Sequence, residues 1–207
     1  MEEALSLDLA NGTTAWSDSV TKEMTNNRVA FDILEGDRKI PIGYQFIRCQ
    51  MIFDIKLEDF SRKARFVAGG HMTETPKSIT YASVVSRDSV RIALTIAALN
   101  DLEIVSSDIQ NAYLTAPCAE KVWIECGDEF GRDKGRRAII VRALYGLKSS
   151  GAAFVNHLRS CMRELGFSPC TADNNVWLRA ATKPSGEACY EYVLLYVDDI
   201  LAIGIEP

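Results

Sequence analysis

Hydrophobic positions along this chain follow a strand period in some stretches and a helical period in others, which predicts interleaved helices and strands. Residues 192–204, Tyr-Val-Leu-Leu-Tyr-Val-Asp-Asp-Ile-Leu-Ala-Ile-Gly, hold two short apolar runs with two adjacent acids between them. Each run has the length and the Val, Ile and Tyr content of a buried strand. A two-residue interruption is the shortest link of an antiparallel pair, so a β-hairpin with Asp198 and Asp199 in its turn is predicted. Residues 61–70 read as a strand with Lys63, Arg65 and Val67 on one face and Ala64, Phe66 and Ala68 on the other. Over 88–99, Val90, Ala93, Leu94 and Ala97 recur at helical spacing, with Ser86 as N-cap and Asn100 at the end. Further strands are predicted over 49–57, 102–109, 121–125, 138–142 and 175–179. A second amphipathic helix, lined by Phe154, Leu158, Cys161 and Leu165, closes at Gly166. In the strand over 102–109, alternation puts Leu102, Ile104, Ser106 and Asp108 on one face, an acid ending a largely apolar stripe. Residues 1–15 show little pattern and read as a loose segment, followed by a short helix over 16–24 with Ser17 as its cap.

The acids of the hairpin change the picture from packing to chemistry. Turns of this length favour Asn-Gly or Asp-Gly, and two carboxylates about 4 Å apart repel by roughly 4 kcal/mol at an effective dielectric near 20. A divalent cation removes that repulsion, and an all-oxygen carboxylate site suits Mg²⁺. Composition adds less: 207 residues, 47% hydrophobic and 25% charged, are ordinary globular material. The net charge of -5 argues mildly against a nucleic-acid partner. Its local distribution matters more, because Arg62, Lys63 and Arg65 form one cationic cluster. Arg132, Lys134, Arg136, Arg137, Arg142 and Lys148 form another, diluted by Asp133. Six scattered cysteines with no Cys-x-x-Cys pair, and two histidines, speak against zinc. The N-terminus is acidic where a signal peptide is basic, and no apolar run approaches the ~18 residues of a membrane span. An intracellular protein in a reducing compartment, cytoplasmic, within a virus-like particle or nuclear, with no membrane partner, is expected.

Tyr196-Val197-Asp198-Asp199 between apolar strands resembles the metal-binding hairpin of reverse transcriptases, and the wording around it resembles the Ty1/copia class of retrotransposon polymerases. Several other phrases resemble that class in order. Lys63-Ala64-Arg65-Phe66-Val67-Ala68-Gly69-Gly70 is similar to its Lys-Ala-Arg-Leu-Val-Ala-Lys-Gly, with Phe66 for leucine and Gly69 for the second lysine. Residues 107–114, Ser-Asp-Ile-Gln-Asn-Ala-Tyr-Leu, resemble Leu-Asp-Val-x-x-Ala-Phe-Leu, and residues 143–148 repeat Ala-Leu-Tyr-Gly-Leu-Lys without a change. Residues 166–173 resemble Gly-Phe-x-x-Ser-x-x-Asp. Ser149 and Ala152 stand where the family's Gln and Arg are usual, which leaves open any nucleotide contact there.

What the resemblance implies is an α+β fold over 16–207, with fingers interleaved with a palm whose antiparallel sheet carries the catalytic hairpin, and no counterpart of a thumb. It implies Asp108, Asp198 and Asp199 as catalytic carboxylates holding two Mg²⁺ ions, for which Mn²⁺ can substitute, with Asp108 and Asp198 bridging. It implies Lys63 and Arg65 as triphosphate contacts and Tyr113 as the aromatic beneath the nucleotide sugar. The implied substrates are dNTP and an RNA or DNA template with its primer, and the implied context is a Gag-Pol-like polyprotein with thumb, RNase H and integrase elsewhere. Two rivals stay open: an inactive retroelement relic retaining at most nucleic-acid binding, and an unrelated carboxylate-metal enzyme. Template-dependent nucleotide incorporation separates the polymerase from both.

Overall fold

The structure, a computed structural model, describes residues 1–36, 38–73 and 83–206. In chain order the helices are α1 (Glu2–Asn11), α2 (Ala15–Asn27), α3 (Arg87–Leu99), α4 (Ala112–Thr115) and α5 (Ser150–Glu164). The strands are β1 (Phe31–Ile33), β2 (Gln45–Phe46), β3 (Cys49–Ile55), β4 (Arg62–Ala68), β5 (Glu103–Asp108), β6 (Val122–Glu125), β7 (Arg137–Ile140), β8 (Ser168–Pro169), β9 (Val176–Thr182), β10 (Ala188–Tyr196) and β11 (Asp199–Gly204). The chain divides into two compact units, Met1–Thr80 with Tyr113–Ala153, and Tyr81–Ala112 with Phe154–Pro207. Among the described residues every strand pairing is antiparallel except the short β2–β6 contact, so mixed α and β structure with antiparallel sheets is what the sequence led one to expect.

The first unit holds a sheet of order β1-β7-β6-β2 and the β3–β4 hairpin, around a core that includes Phe31, Ile47, Phe66, Val122, Ile124 and Leu144. In β4 the predicted alternation holds: Ala64, Phe66 and Ala68 are buried, and Lys63, Arg65 and Val67 lie on the other face. The amides of the buried residues turn away from β3. Ala64 donates to Ser19 Oγ at 2.7 Å and Phe66 to Glu23 Oε1 at 2.8 Å, both on α2, while Ala68 donates to the Tyr145 carbonyl at 2.7 Å. The donors along an edge strand are thereby satisfied by side chains and a loop instead of another strand.

Residues 1–15 differ from the sequence reading, for Glu2–Asn11 is a helix. Its buried Asp8 accepts the amides of Trp16 at 3.0 Å and Ser17 at 2.9 Å, so α2 starts at Ala15 and is capped from α1 in place of Ser17. Burial by itself would raise the Asp8 pKa. The Ser17 and Trp16 amides, the Thr13 hydroxyl and the Arg62 charge outweigh it and hold the carboxyl below its usual value.

The second unit is a sheet of order β5-β11-β10-β9-β8. One face packs Leu194, Val176 and Ile203 against Ala93 and Ala97 of α3; the other packs Leu195 and Trp177 against Met162 of α5 and Phe167. Helices on both faces explain why β10 reads as an unbroken apolar run. The apolar stripe expected on β5 reaches the core only at Leu102. Every residue of β5 is exposed, Ile104 by 45%, because the strand lies at the sheet's edge. Helix α3 is bounded as predicted: Ser86 caps it by accepting the Ser89 amide at 3.1 Å, and Asn100 ends it.

Asp173, the last residue of the glycine-led phrase at 166–173, reinforces that cap. It accepts from the Ser86 amide at 2.9 Å, the Ser89 hydroxyl at 2.7 Å and the Asn175 amide at 3.0 Å. Desolvation raises its pKa, but these donors together lower it below the usual value. A depressed carboxylate stabilises the fold above its unfolded pKa and loses that contribution as pH falls through the folded value. Asp173→Ala should therefore cost about 1–2 kcal/mol at neutral pH, the range of a lost helix cap. Urea melts of both proteins at neutral pH and near pH 3 should show the gap closing in acid, and a constant gap would mean the carboxylate charge is irrelevant.

Candidate active site

The β10–β11 ladder pairs Tyr192 with Ile203, Leu194 with Leu201 and Tyr196 with Asp199. The two-residue loop is therefore Val197-Asp198, one residue earlier than expected, and Asp199 is the first residue of β11. Only Val197 has a positive φ, 57°. That conformation is costly for a β-branched side chain. Positive φ is thus confined to the first central residue of the loop, which spares Asp198 that conformation.

The repulsion inferred between Asp198 and Asp199 is thus relocated. Asp199 lies directly opposite Asp108 in the β11–β5 ladder. The Ile109 amide donates to the Asp198 carbonyl at 2.9 Å, which makes Asp108 and Asp199 a non-hydrogen-bonded pair. In such pairs Cα atoms approach to about 4.5 Å, and like charges placed so are destabilising. Both residues are exposed, and both line a cavity of about 670 Å³ together with Arg87, Val90, Ser106, Ser107 and Tyr196. Among the described residues no three His, Cys, Asp or Glu side chains stand close enough together to hold a metal ion. The donor set still suits a hard cation, because Mg²⁺ is commonly held by one or two carboxylates with water and substrate phosphates completing the shell.

The other predicted residues belong to the first unit. Lys63 and Arg65 share one face of β4, and Arg65 sits 3.6 Å from Asp54, which is also the cross-strand neighbour of Lys63. Tyr113 lies against Tyr145, ring centroids 4.7 Å apart at 54°. Tyr145 was not singled out from the sequence, although it sits inside the Ala-Leu-Tyr-Gly-Leu-Lys phrase. Nor was Arg87, whose place beside the carboxylates depends on how α3 packs.

That phrase has a steric logic. Gly146 has φ 93°, and a Cβ there would meet the Ala68 carbonyl at 2.0 Å; a Cβ on Gly70 would meet the Gly146 carbonyl at 2.1 Å. The two backbones touch where no side chain fits. Next in the chain, Ser149 is buried, and its amide and hydroxyl donate to Glu120 Oε1 at 2.9 and 2.8 Å. Glu120 also accepts from Thr73, whose carbonyl takes Lys148 Nζ at 2.5 Å. Ser149 is therefore committed to this network, and Ala152 is buried.

Two strands thus place the acids Asp108 and Asp199 side by side at the end of an antiparallel sheet. Residues 32–206 match the family described as "Reverse transcriptase (RNA-dependent DNA polymerase)". The chain belongs to this reverse transcriptase family. Its relatives include the retrovirus-related Pol polyprotein from transposon TNT 1-94 of Nicotiana tabacum, 28% identical over 176 residues, or 80% of this chain and 13% of that protein. They also include those from transposon RE1 (29% over 176 residues, 81% and 12%) and transposon RE2 (28% over 173 residues, 79% and 12%) of Arabidopsis thaliana. The chain thus spans about an eighth of the length of these curated relatives, and the resemblance to Ty1/copia retrotransposon polymerases read from the sequence is borne out.

The loop geometry carries its own prediction. Val197→Gly should raise stability by about 1 kcal/mol, the left-handed cost less glycine's entropy, even though an apolar side chain is removed. A lower unfolding midpoint for the variant would show that the strain is absent.

Proposed function

We propose that this chain is the part of a retrotransposon reverse transcriptase that joins a dNTP to a primer 3′-hydroxyl on an RNA or DNA template. The second unit with its carboxylate hairpin is the palm and the first the fingers, within residues 16–207, and thumb, RNase H and integrase belong to the rest of a polyprotein. The observation that carries the reading is the cross-strand pairing of Asp108 with Asp199, with Asp198 in the adjoining loop.

In this reading Asp108 and Asp199, paired across the sheet, would hold Mg²⁺ together with Asp198 of the adjoining loop. When bound, the metal lowers the cost of charge building on the attacking and leaving oxygens of an in-line displacement. Lys63 and Arg65 neutralise the triphosphate of the incoming nucleotide, as paired cations on one strand face are suited to do. Tyr113 forms the floor under the sugar and rejects a 2′-hydroxyl by excluded volume.

Asp108→Asn should relieve the like-charge pair and, without Mg²⁺, raise stability by about 0.2–1 kcal/mol. The same variant should lose any Mg²⁺-dependent rise in Tm and reduce primer extension by the polymerase that carries it to background. Asp198→Asn and Asp199→Asn should likewise lose extension. Wild-type extension by any of the three would remove that residue from the metal set.

For Tyr113 the informative change is to Val. In an active polymerase, Tyr113→Val should lower the preference for deoxy- over ribonucleotides, read as the ratio of kcat/KM values. An unchanged ratio would leave Tyr113 as packing against Tyr145.

A further inference from the structure

Helix α5 has a flank that neither the core nor the polymerase reading uses. Leu158 and Met162 pack into the core beneath the helix. His157 and Cys161, one turn apart, lie to one side of them, the imidazole exposed and the thiol half-buried. Cys161 Sγ stands 3.9 Å from His157 Nε2, and neither side chain has another hydrogen-bond or ion-pair partner among the described residues. The cations of the same turns are engaged on the far side of the helix. Arg159 donates to Ser83 Oγ at 3.3 Å and to Asn175 Oδ1 at 3.4 Å, and Arg163 lies 5.6 Å from the centroid of the Trp177 ring. Glu164, exposed and three residues after Cys161, is the charged side chain of α5 on the flank itself. The surroundings therefore favour a cation.

A thiol sulfur and an imidazole nitrogen side by side are zinc donors. Bond lengths of ~2.3 Å to sulfur and ~2.0–2.1 Å to nitrogen, at tetrahedral angles, set the two donors about 3.6 Å apart. The observed 3.9 Å is a small side-chain adjustment away from that spacing. Buried thiols elsewhere are poorer ligands, because burial pushes Cys49 up to about 12 and Cys118 and Cys126 up to about 11. Structural zinc takes four ligands. One chain supplies two, since no three candidate ligands stand together among the described residues. We infer that His157 and Cys161 from two copies of this chain together hold one zinc ion, joining the copies through α5. A two-fold axis beside Arg159, midway between the ligands, sets His157 of one antiparallel helix against Cys161 of the other, so the same patch meets itself. Each thiol releases its proton to solvent, and the two thiolates balance the charge of the ion while two neutral imidazoles complete the shell. Sequence spacing speaks against zinc because it shows no complete site within one chain; a His-x-x-x-Cys pair on a helix is half of one. The inference does not rest on the polymerase reading, whose oxygen donors suit a harder ion.

The test titrates the 207-residue chain, metal-free and kept reduced by a non-thiol reductant, with Zn²⁺ while light scattering reports mass and calorimetry reports stoichiometry. Zinc should convert monomer to dimer at one ion per two chains, EDTA should reverse this, and Mg²⁺ should not reproduce it. Co²⁺ in place of zinc should give the intense visible bands of a tetrahedral site and a thiolate charge-transfer band. Cys161→Ser and His157→Ala should each abolish the zinc-dependent dimer and those bands, yet keep the metal-free melting midpoint of the parent, because neither side chain fills the core. Asp108→Asn should dimerise with zinc as the parent does, which separates this site from the carboxylates. The inference is overturned if zinc leaves the mass unchanged, including by binding one ion per chain, or if the zinc-dependent dimer survives in both ligand variants. A dimer that resists EDTA but yields to reductant is a disulfide and overturns it equally.

Discussion

Register between β5 and β11 is the constraint on which the carboxylate site depends. A slip of one residue in a strand moves every side chain to the opposite face. Here the slip is blocked because Ile203 and Leu194 are buried beneath α3 while Leu195 and Trp177 are buried beneath α5. Both faces of the central strands are committed to packing, so β11 cannot shift without exposing one set of apolar groups, and β5, whose own residues are exposed, is held in register at its two ends by buried Leu102 and by the Ile109 amide on the Asp198 carbonyl. Apolar burial is worth about 1.5–3 kcal/mol per large aliphatic side chain. The cross-strand repulsion of two exposed acids is nearer 1 kcal/mol or below. Packing wins, and Asp108 and Asp199 are held opposite each other against their own electrostatic preference. A site that stores repulsion in this way is stabilised by any cation that enters it, which couples ion binding to the stability of the hairpin end.

The same comparison explains what could be read from the sequence. Strand β4 was legible because its period-two pattern is also its burial pattern: Ala64, Phe66 and Ala68 go in, and Lys63 and Arg65 are left together on the other face. Helix α3 was legible because its caps are local, Ser86 to Ser89 at one end and Asn100 at the other. The hairpin was legible as a hairpin, but its turn was displaced by one residue. Turn propensity argues against valine at positive φ, and the ladder register fixed by distant packing overrides that preference at Val197. Helix α1 was missed for a related reason. Its sequence has little amphipathic pattern, and its role is tertiary, with Asp8 supplying the cap that α2 lacks locally. The stripe on β5 misled because alternation reports which side chains share a face, and an edge strand need not bury either.

Within the first unit, the phrase Ala-Leu-Tyr-Gly-Leu-Lys owes its form to close backbone contact more than to chemistry. Gly146 and Gly70 let the loop and the end of β4 touch, and Tyr145 lends its carbonyl to the Ala68 amide. The strand that displays Lys63 and Arg65 is thus anchored along one edge by α2 and at its end by this loop. Glu120 extends the anchoring into the start of α5 through Ser149. The departure from the family wording at 149 follows, because a short, buried hydroxyl side chain that donates to the half-buried Glu120 carboxylate fits where a longer amide would need other partners. Tyr145 is set beside Tyr113 by the same anchoring, so the sugar-side aromatic assigned from sequence has a neighbour that only the folded loop supplies.

Net charge is a poor guide to where a folded chain presents positive surface. The overall value is -5, and the cationic cluster at 132–148 looks in sequence like the natural counterweight. In the fold much of it is already matched. Lys134 is paired with Asp128, Arg136 with buried Asp133, and Arg142 donates to the Thr115 carbonyl at 3.4 Å. Asp133 also takes Arg28 at 3.1 Å, so that one buried acid organises two cations into a structural knot. Long-range attraction is set by the charges left after such pairing, and screening confines their reach to about 8 Å at physiological salt. The cations that remain without ion pairs among the described residues include Lys63 on β4, Arg87 beside the carboxylates, and Lys121 and Arg137 around Trp123. An acidic chain can therefore present local positive surfaces wherever folding separates a cation from its sequence neighbours.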